Sequence, residues 1–350
     1  MPAADDLLVG VLKPVSRSFY LSVAILPRDL REPIGLGYLL ARAADTVADT
    51  RLIARPQRIA HLETLRRAYA GDDVDVTGLA SACAPLQAHA AERHLLERTR
   101  EVIARVRALP GDDRARVQTV LATITSGMLF DLTRFPGEDA ATLGALETMD
   151  DLDQYTYLVA GCVGEFWTAI HLAHRPRLRG WNPAIAIPRG IRFGKALQMT
   201  NVLRDVPADL RTGRCYLPAR ELSAVGLRPS DLLDPSSAAK VRPLLGRLLG
   251  LTLEHYDIAW EYTLAIPRRE FRMRLACAWP LLIGLGTLAE LAAHPDPLAP
   301  DRPAKLSRAA VRGILARSAI TVWSNRALAR EAARLRRRVR EFPLALVGDS

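Results

Sequence analysis

Cysteine is scarce in this chain: Cys83, Cys162, Cys215 and Cys277 are widely scattered, no CxxC pair exists, and each sits among apolar or helical neighbours. That argues against a structural zinc site and against a disulfide framework, and it fits a reducing cytoplasm. Aromatic residues make up only 6%, and no zinc-finger or RNP-like signature accompanies the net charge of +10, which argues against nucleic acid as the partner. Long hydrophobic runs are missing too. The longest, Leu275 to Ala289, falls short of the ~20 residues that span a bilayer and is broken by Pro280, Gly284 and Gly286. It reads as a buried core helix. The amino terminus carries Asp5 and Asp6 before a short apolar patch, where a signal peptide needs a basic start and a longer apolar run. No GxGxxG opens a βαβ unit, so any nicotinamide cofactor is not expected to bind in the Rossmann manner.

What is present is helix-forming sequence almost everywhere. Of 350 residues, 49% are hydrophobic and 25% charged, an ordinary globular composition. Apolar residues recur at three- and four-residue spacings in EPIGLGYLLARAADTVAD, DRARVQTVLATITSGMLFDL, RGIRFGKALQMTNVLRDV and AAVRGILARSAITVWSNRALAREAARLRRRV. No period-two run bounded by hairpin turns competes with them. Breakers at 71–78, 110–113, 135–139, 174–190 and 294–305 divide the helices, and none reads as a domain linker. The expectation is an all-α fold, one helical domain over 1–350, with flexible ends at 1–15 and 341–350.

The positive excess is concentrated in ARLRRRVREF, Ala333 to Phe342. A basic solvated helix is one reading, and a docking surface for anionic lipid is the other.

Two acidic motifs carry the chemistry. In Arg42-Ala-Ala-Asp45-Thr-Val-Ala-Asp49 two carboxylates stand four residues apart, one turn along one helix face. Like charges at that spacing repel, which makes sense when a cation sits between them, and carboxylate oxygens are the hard ligands Mg²⁺ prefers. A solvated surface face is the alternative for one pair alone. The second motif is Gln198-Met-Thr-Asn201-Val-Leu-Arg204-Asp205-Val-Pro-Ala-Asp209. Pro207 disfavours helical Val206 and removes a donor, so the helix is expected to kink or end there. Asn201, one turn before Asp205, could add an amide ligand. Two such pairs in one helical chain suit a metal-bound diphosphate whose departure leaves an allylic carbocation. Arg42, Arg204 and Arg214 are candidate donors to the phosphate oxygens.

The order SRSF (16–19), RAADTVAD (42–49), YTYLVAGCVGE (155–165) and QMTNVLRDVPADLRTGRCYLP (198–218) resembles the squalene/phytoene synthase family, over most of the chain from Ser16 to the Cys277–Pro280 segment. The resemblance implies an isoprenoid synthase fold with an apolar cavity and head-to-head joining of two prenyl diphosphates, farnesyl diphosphate being the expected substrate. It implies that Asp45, Asp49, Asp205 and Asp209 bind the metal. Ser16, Arg17, Ser18, Arg42, Arg204 and Arg214 would lie at the diphosphates, with Tyr38, Gln198 and Asn201 lining the site. Tyr155 matches the tyrosine where a proton leaves the condensing carbon. A phenol with a pKa near ~10 is a poor base, so relay to the departing diphosphate is the better role. Phe19, Val159, Ala160, Val163 and Gly164 would wall the cavity. For the small residues of VAGCVG, close helix packing is an equal explanation.

Within the family, Cys277-Ala-Trp-Pro280 and Lys305-Leu-Ser-Arg308 resemble segments of the squalene synthases, the branch that reduces its product. On that resemblance Cys277 and Pro280 would line the cavity, while Lys305 and Arg308 would meet NADPH. Phytoene, dehydrosqualene and hydroxysqualene synthases remain alternatives, with a non-enzymatic helical interaction protein more distant. The first motif, DTVAD, departs from the DDxxD usual in head-to-tail prenyltransferases. The carboxy terminus, REFPLALVGDS, carries no membrane helix, so the expected location is the cytoplasm with peripheral contact at the inner membrane face.

Overall fold

The computed structural model describes residues 6–299 and 304–341, apart from the side chains of Asp6, Arg17, Ser18 and Phe19. Among these residues fifteen α-helices carry the chain: α1 (Leu12–Ala24), α2 (Arg28–Asp49), α3 (Arg55–Ala70), α4 (Thr77–Cys83), α5 (Ala90–Glu97), α6 (Thr99–Arg107), α7 (Gly111–Arg134), α8 (Met149–Thr156), α9 (Cys162–His174), α10 (Pro183–Arg211), α11 (Ala219–Ala224), α12 (Ala238–Ala265), α13 (Phe271–Ala292), α14 (Arg308–Thr321) and α15 (Asn325–Arg340). The fold is all-α, as the periodicity implies. The sheet structure described is one parallel pair of two-residue strands, β1 (Gly144–Ala145) and β2 (Arg214–Cys215). All four cysteines are buried, and none is joined in a disulfide.

The chain forms two compact units, Met1–Leu132 with Glu165–Pro183, and Thr133–Gly164 with Ala184–Ser350. In the first unit α2 is the central element and packs against α1, α3, α5 and α6. Its buried face holds Leu36, Leu39, Leu40, Ala43, Ala44 and Val47, the three- and four-residue spacing of an amphipathic helix. Residues 6–15, expected to belong to a flexible end, are helical, with Leu7, Leu8, Val11 and Leu12 buried. The rest of the expected flexible ends, 1–5 and 342–350, lies outside the described residues.

In the second unit α13 is the core helix, packed by α12, α14 and α15. By length and composition it could cross a membrane, yet 78% of its apolar window is buried inside the protein, as the sequence reading of 275–289 expects. Leu281, Leu282, Leu285 and Leu288 are almost wholly enclosed, each worth about 1.5–3 kcal/mol of burial. Helix α15, the basic segment, turns Leu328, Ala332, Leu335 and Val339 inward and sends Arg336 and Arg338 to Asp257 and Glu290.

Candidate active site

Each unit carries one of the two acidic motifs. In the first, α2 places Tyr38, Arg42, Asp45 and Asp49 at successive turns of one helix. Arg42 Nη1 meets Asp45 Oδ2 at 2.6 Å, and Arg42 Nη2 meets Glu92 Oε1 on α5 at 2.5 Å. Burial alone would lower the Arg42 guanidinium, but Asp45 and Glu92 together hold it above its usual value. Burial raises the Tyr38 phenol, Arg42 opposes, and Asp45 adds to the rise. Asp45 is half-buried and Asp49 exposed.

The carboxyl end of α2 is built with care. Thr50 Oγ1 donates to Thr46 O, and buried Arg58 donates from Nη1 to Ala48 O at 2.8 Å. A cation at a helix carboxyl terminus is favourable, and it holds the turn that bears Asp49. Gln87 Nε2 donates to Thr50 Oγ1 at 2.8 Å. Glu92 and Gln87 escape sequence reasoning, because each lies far along the chain from the group it serves; Arg58, ten residues from Ala48, reaches it from the next helix. Ser16 Oγ is buried and has no hydrogen-bond partner among the described residues. The side chains of Arg17, Ser18 and Phe19 lie outside the described part.

In the second unit α10 carries Gln198, Asn201, Arg204, Asp205 and Asp209. Against expectation the helix runs through Pro207 to Arg211. One proline removes a single amide donor, and the neighbouring turns carry the helix until Gly213, at φ 80°, closes it. Asp205 and Asp209 therefore do stand one helical turn apart. Arg204 grips Asp205 with Nε at 2.8 Å and with Nη2, a fork that raises its own pKa first by that hydrogen bond. Asp209, Arg214 and Tyr216 line one small crevice with Val202, Val206 and Leu210. Arg214 owes its place to the β1–β2 pair, where Gly144 N donates to Gly213 O at 3.0 Å.

Tyr155 sits on α8, whose start is a capping box: Thr148 Oγ1 accepts from Asp151 N, and Asp151 Oδ2 accepts from Thr148 N. Its ring stacks on Tyr216 with centroids 4.6 Å apart, and Tyr216 meets Phe135 edge-on at 5.0 Å. Gln198 Nε2 donates to Tyr155 Oη at 3.3 Å, and Asn201 Nδ2 donates to Gln198 Oε1 at 3.3 Å. Tyr155, Gln198, Asn201 and Tyr216 thus form one chain of contacts, and Tyr216 is the member the sequence reading overlooks. Lys195 Nζ meets Asp153 Oδ1 at 2.5 Å and clamps α8 to α10 beside that chain.

A π-helical turn, Tyr157–Gly161, follows α8 and includes Val159 and Ala160, with Val163 and Gly164 just after. Here the small residues are where backbones meet. A Cβ on Gly164 would lie 1.8 Å from Gly190 O, one on Gly194 2.1 Å from Ala160 O, and one on Gly161 3.2 Å from Ile191. Cys277 is buried on α13, Pro280 lies half-buried within the same helix, and Lys305 and Arg308 are exposed ahead of and at the start of α14.

The donor set suits a hard divalent cation such as Mg²⁺. In the first unit Asp45 and Asp49 offer carboxylate oxygens; in the second Asp205 and Asp209 do the same, with Asn201 adding an amide oxygen, and the Asp45 and Asp205 side chains keep 40% and 35% of their surface open to the water that Mg²⁺ retains. Among the described residues no three His, Cys, Asp or Glu gather into a ready-made metal site, so substrate oxygens would complete the shell.

Comparison with known proteins gives a consistent picture. The family described as Squalene/phytoene synthase matches residues 12–310. A bifunctional lycopene cyclase/phytoene synthase of Sporisorium reilianum is 27% identical across 85% of this chain and 51% of its own. The squalene synthase of Eremothecium gossypii is 27% identical over 80% of this chain and 60% of its own. This chain therefore spans only about half to three-fifths of those two relatives. It spans 93% of the presqualene diphosphate synthase of Rhodopseudomonas palustris, at 28% identity over 87% of this chain. A solved ligand complex of TcSQS superposes with a TM-score of 0.78 at 21% identity, covering 97% of this chain and 92% of that one. The structural likeness speaks for the isoprenoid synthase fold, and the match over most of the sequence places the chain in the squalene/phytoene synthase family.

Proposed function

We propose that this protein joins two molecules of farnesyl diphosphate head to head, through presqualene diphosphate, and reduces the product with NADPH to squalene. The observation that supports the first half of the reading is a repeated device. Two helices each carry a pair of aspartates one turn apart, and each pair has an arginine in direct contact with its first member. Carboxylates to hold Mg²⁺ and guanidinium groups to meet phosphate oxygens are what ionisation of a diphosphate ester needs. Bound at Asp45, Asp49, Asp205 and Asp209, with Asn201 as a further ligand, Mg²⁺ would supply Lewis-acid charge to the leaving group.

The chain's own residues do the rest. Arg42, Arg204 and Arg214 donate to diphosphate oxygens, and the Ser16 hydroxyl, buried without a partner among the described residues, is a further donor. Tyr155, held by Gln198 and stacked on Tyr216, passes the proton from the condensing carbon towards the departing diphosphate, and the stacked rings offer π density to the cation. Tyr38, Val159, Ala160 and Val163 line the prenyl chains. Cys277 and Pro280 face the reduction step, with Lys305 and Arg308 meeting the NADPH phosphates.

A second reading stops at presqualene diphosphate. It is favoured by the Rhodopseudomonas palustris relative, of which this chain covers 93%. Incubation with farnesyl or geranylgeranyl diphosphate and Mg²⁺, with and without NADPH, separates the readings by gas chromatography of the extracted products. Squalene that depends on NADPH supports the first, and a product indifferent to NADPH removes it. Asp45→Asn and Asp205→Asn should each lower turnover by at least ~10²-fold. Full activity in both variants would end the metal assignment.

A further inference from the structure

The second unit exposes two large apolar side chains side by side. Ile320 and Trp323, 79% and 52% exposed, stand three residues apart where α14 gives way to α15. Single apolar residues on a surface need no explanation, but this pair is presented by a rigid mount. Trp323 meets Phe271, the first residue of α13, in a tilted ring contact with centroids 4.8 Å apart. Beneath them Arg274 is fully buried, donating from Nε to Val322 O at 3.0 Å, from Nη1 to Ile266 O at 2.6 Å and from Nη2 to Asn325 Oδ1 at 2.8 Å. Asn325 Nδ2 returns to Leu264 O at 3.2 Å. Trp279 Nε1 donates to buried Ser318 Oγ at 2.9 Å and fastens α14 to α13. The two turns are thus sewn together by a buried cation, with Val322 pointing in and Trp323 pointing out.

The rim around the pair is cationic. Arg268, Arg269, Arg272, Arg326 and Arg330 are exposed. Acids are nearly absent: Glu270 alone lies in 266–272, where it is buried, and 308–330 holds none. Arg317 is held by Glu331 at 3.1 Å. Beyond Arg330, α15 exposes arginines as well, among them Arg334 and Arg337, but its apolar residues Ala332, Leu335 and Val339 are buried and Arg336 and Arg338 are in ion pairs.

We infer that the α12–α13 and α14–α15 turns form a docking tip for an anionic lipid bilayer, with Trp323 and Ile320 entering the headgroup region and the surrounding arginines meeting lipid phosphates. Tryptophan and arginine suit that boundary, because each has an apolar body and a polar or charged end. A nucleic-acid duplex would satisfy the arginines but leave Ile320 in water, so charge and apolarity together select the bilayer. The tip stands independently of the catalytic reading.

Flotation of the full chain with phosphatidylcholine vesicles, with and without phosphatidylglycerol, tests it. Binding is expected with the mixed vesicles, weakening as salt rises. Each arginine charge removed from the rim should weaken binding about fivefold. Arg268→Gln and Arg269→Gln together should therefore weaken it about 25-fold, and Trp323→Ser with Ile320→Ser about tenfold or more. Circular dichroism and Tm serve as controls for folding. Arg334→Gln with Arg337→Gln, on α15, should change binding far less, and with mixed vesicles the tryptophan emission of the wild type should shift to the blue while that of Trp323→Ser with Ile320→Ser does not. Equal flotation with neutral vesicles, unaltered binding by both sets of tip variants, or a larger loss from the α15 variants would overturn the tip. So would tight binding to duplex RNA with no affinity for vesicles.

Discussion

Gly194→Ala and Gly164→Ala probe how closely α10 must approach the segment after Tyr155. A Cβ on Gly194 would sit 2.1 Å from Ala160 O and 2.6 Å from Ala160 C, and one on Gly164 1.8 Å from Gly190 O. Ordinary contact begins near 3.4 Å, so the backbones must part by about 1.3 Å and about 1.6 Å. The obstructing atoms are carbonyls of the main chain, which no rotamer change can move. Overpacking of this kind belongs at the upper end of the usual range, about 3 kcal/mol, or a fall in Tm of about 4 °C for 350 residues unfolding together. Gly250→Ala is the control: it lies exposed in α12 with nothing within 4 Å of an added Cβ, and it should stabilise by about 0.5–1 kcal/mol through helix propensity. Gln198 stands one turn beyond Gly194, so the forced separation also opens the 3.3 Å contact with Tyr155. Urea titration and thermal melts read the first effect, and kcat for product formation reads the second. If Gly194→Ala and Gly164→Ala matched the wild type in Tm, or behaved like Gly250→Ala, the close approach would not hold the two segments together.

Lys195→Met removes the clamp on Asp153 and should lower kcat about tenfold with little change in KM, by loosening Tyr155; Lys195→Arg should restore most of it, and a loss confined to Tm would leave the lysine a purely structural part. Arg274→Met leaves the carbonyls of Val322 and Ile266 without this donor, and a cost of about 3–5 kcal/mol in urea titration is expected; a cost under about 1 kcal/mol would show that the turns hold without it. Burial depresses His171 to about 3 and His255 to about 4, from 6.5. The unfolded chain then binds more protons between those values and 6.5, so stability is lost as pH falls below about 6.5 and the loss continues towards about 4 and about 3. His255→Gln should flatten the upper part of that fall, and an unchanged slope would mean that His255 is already protonated in the folded protein.

The helices, their amphipathic faces and the four aspartates at i, i+4 were legible in the sequence, because each depends on residues within a turn or two of one another. Local chemistry also explains where reading stopped. Pro207 looked like an ending, since propensity counts the missing donor but not the neighbouring turns and the Gly213 closure that carry α10 on to Arg211. The glycines of VAGCVG admitted two explanations until α10 was seen against them, with Gly190 and Ile191 at the place where a side chain would have to go.

What the sequence alone decided is therefore the all-α fold, most of its helices and the family, all of which are properties of short stretches and their order. Only the tertiary structure decided the partners: Glu92 on Arg42, Tyr216 under Tyr155, Lys195 on Asp153, and Arg274 beneath an exposed Trp323. Those pairs span between 42 and 61 residues of chain. No spacing rule links positions so far apart; they meet because burying the apolar faces of their helices leaves these groups opposite one another.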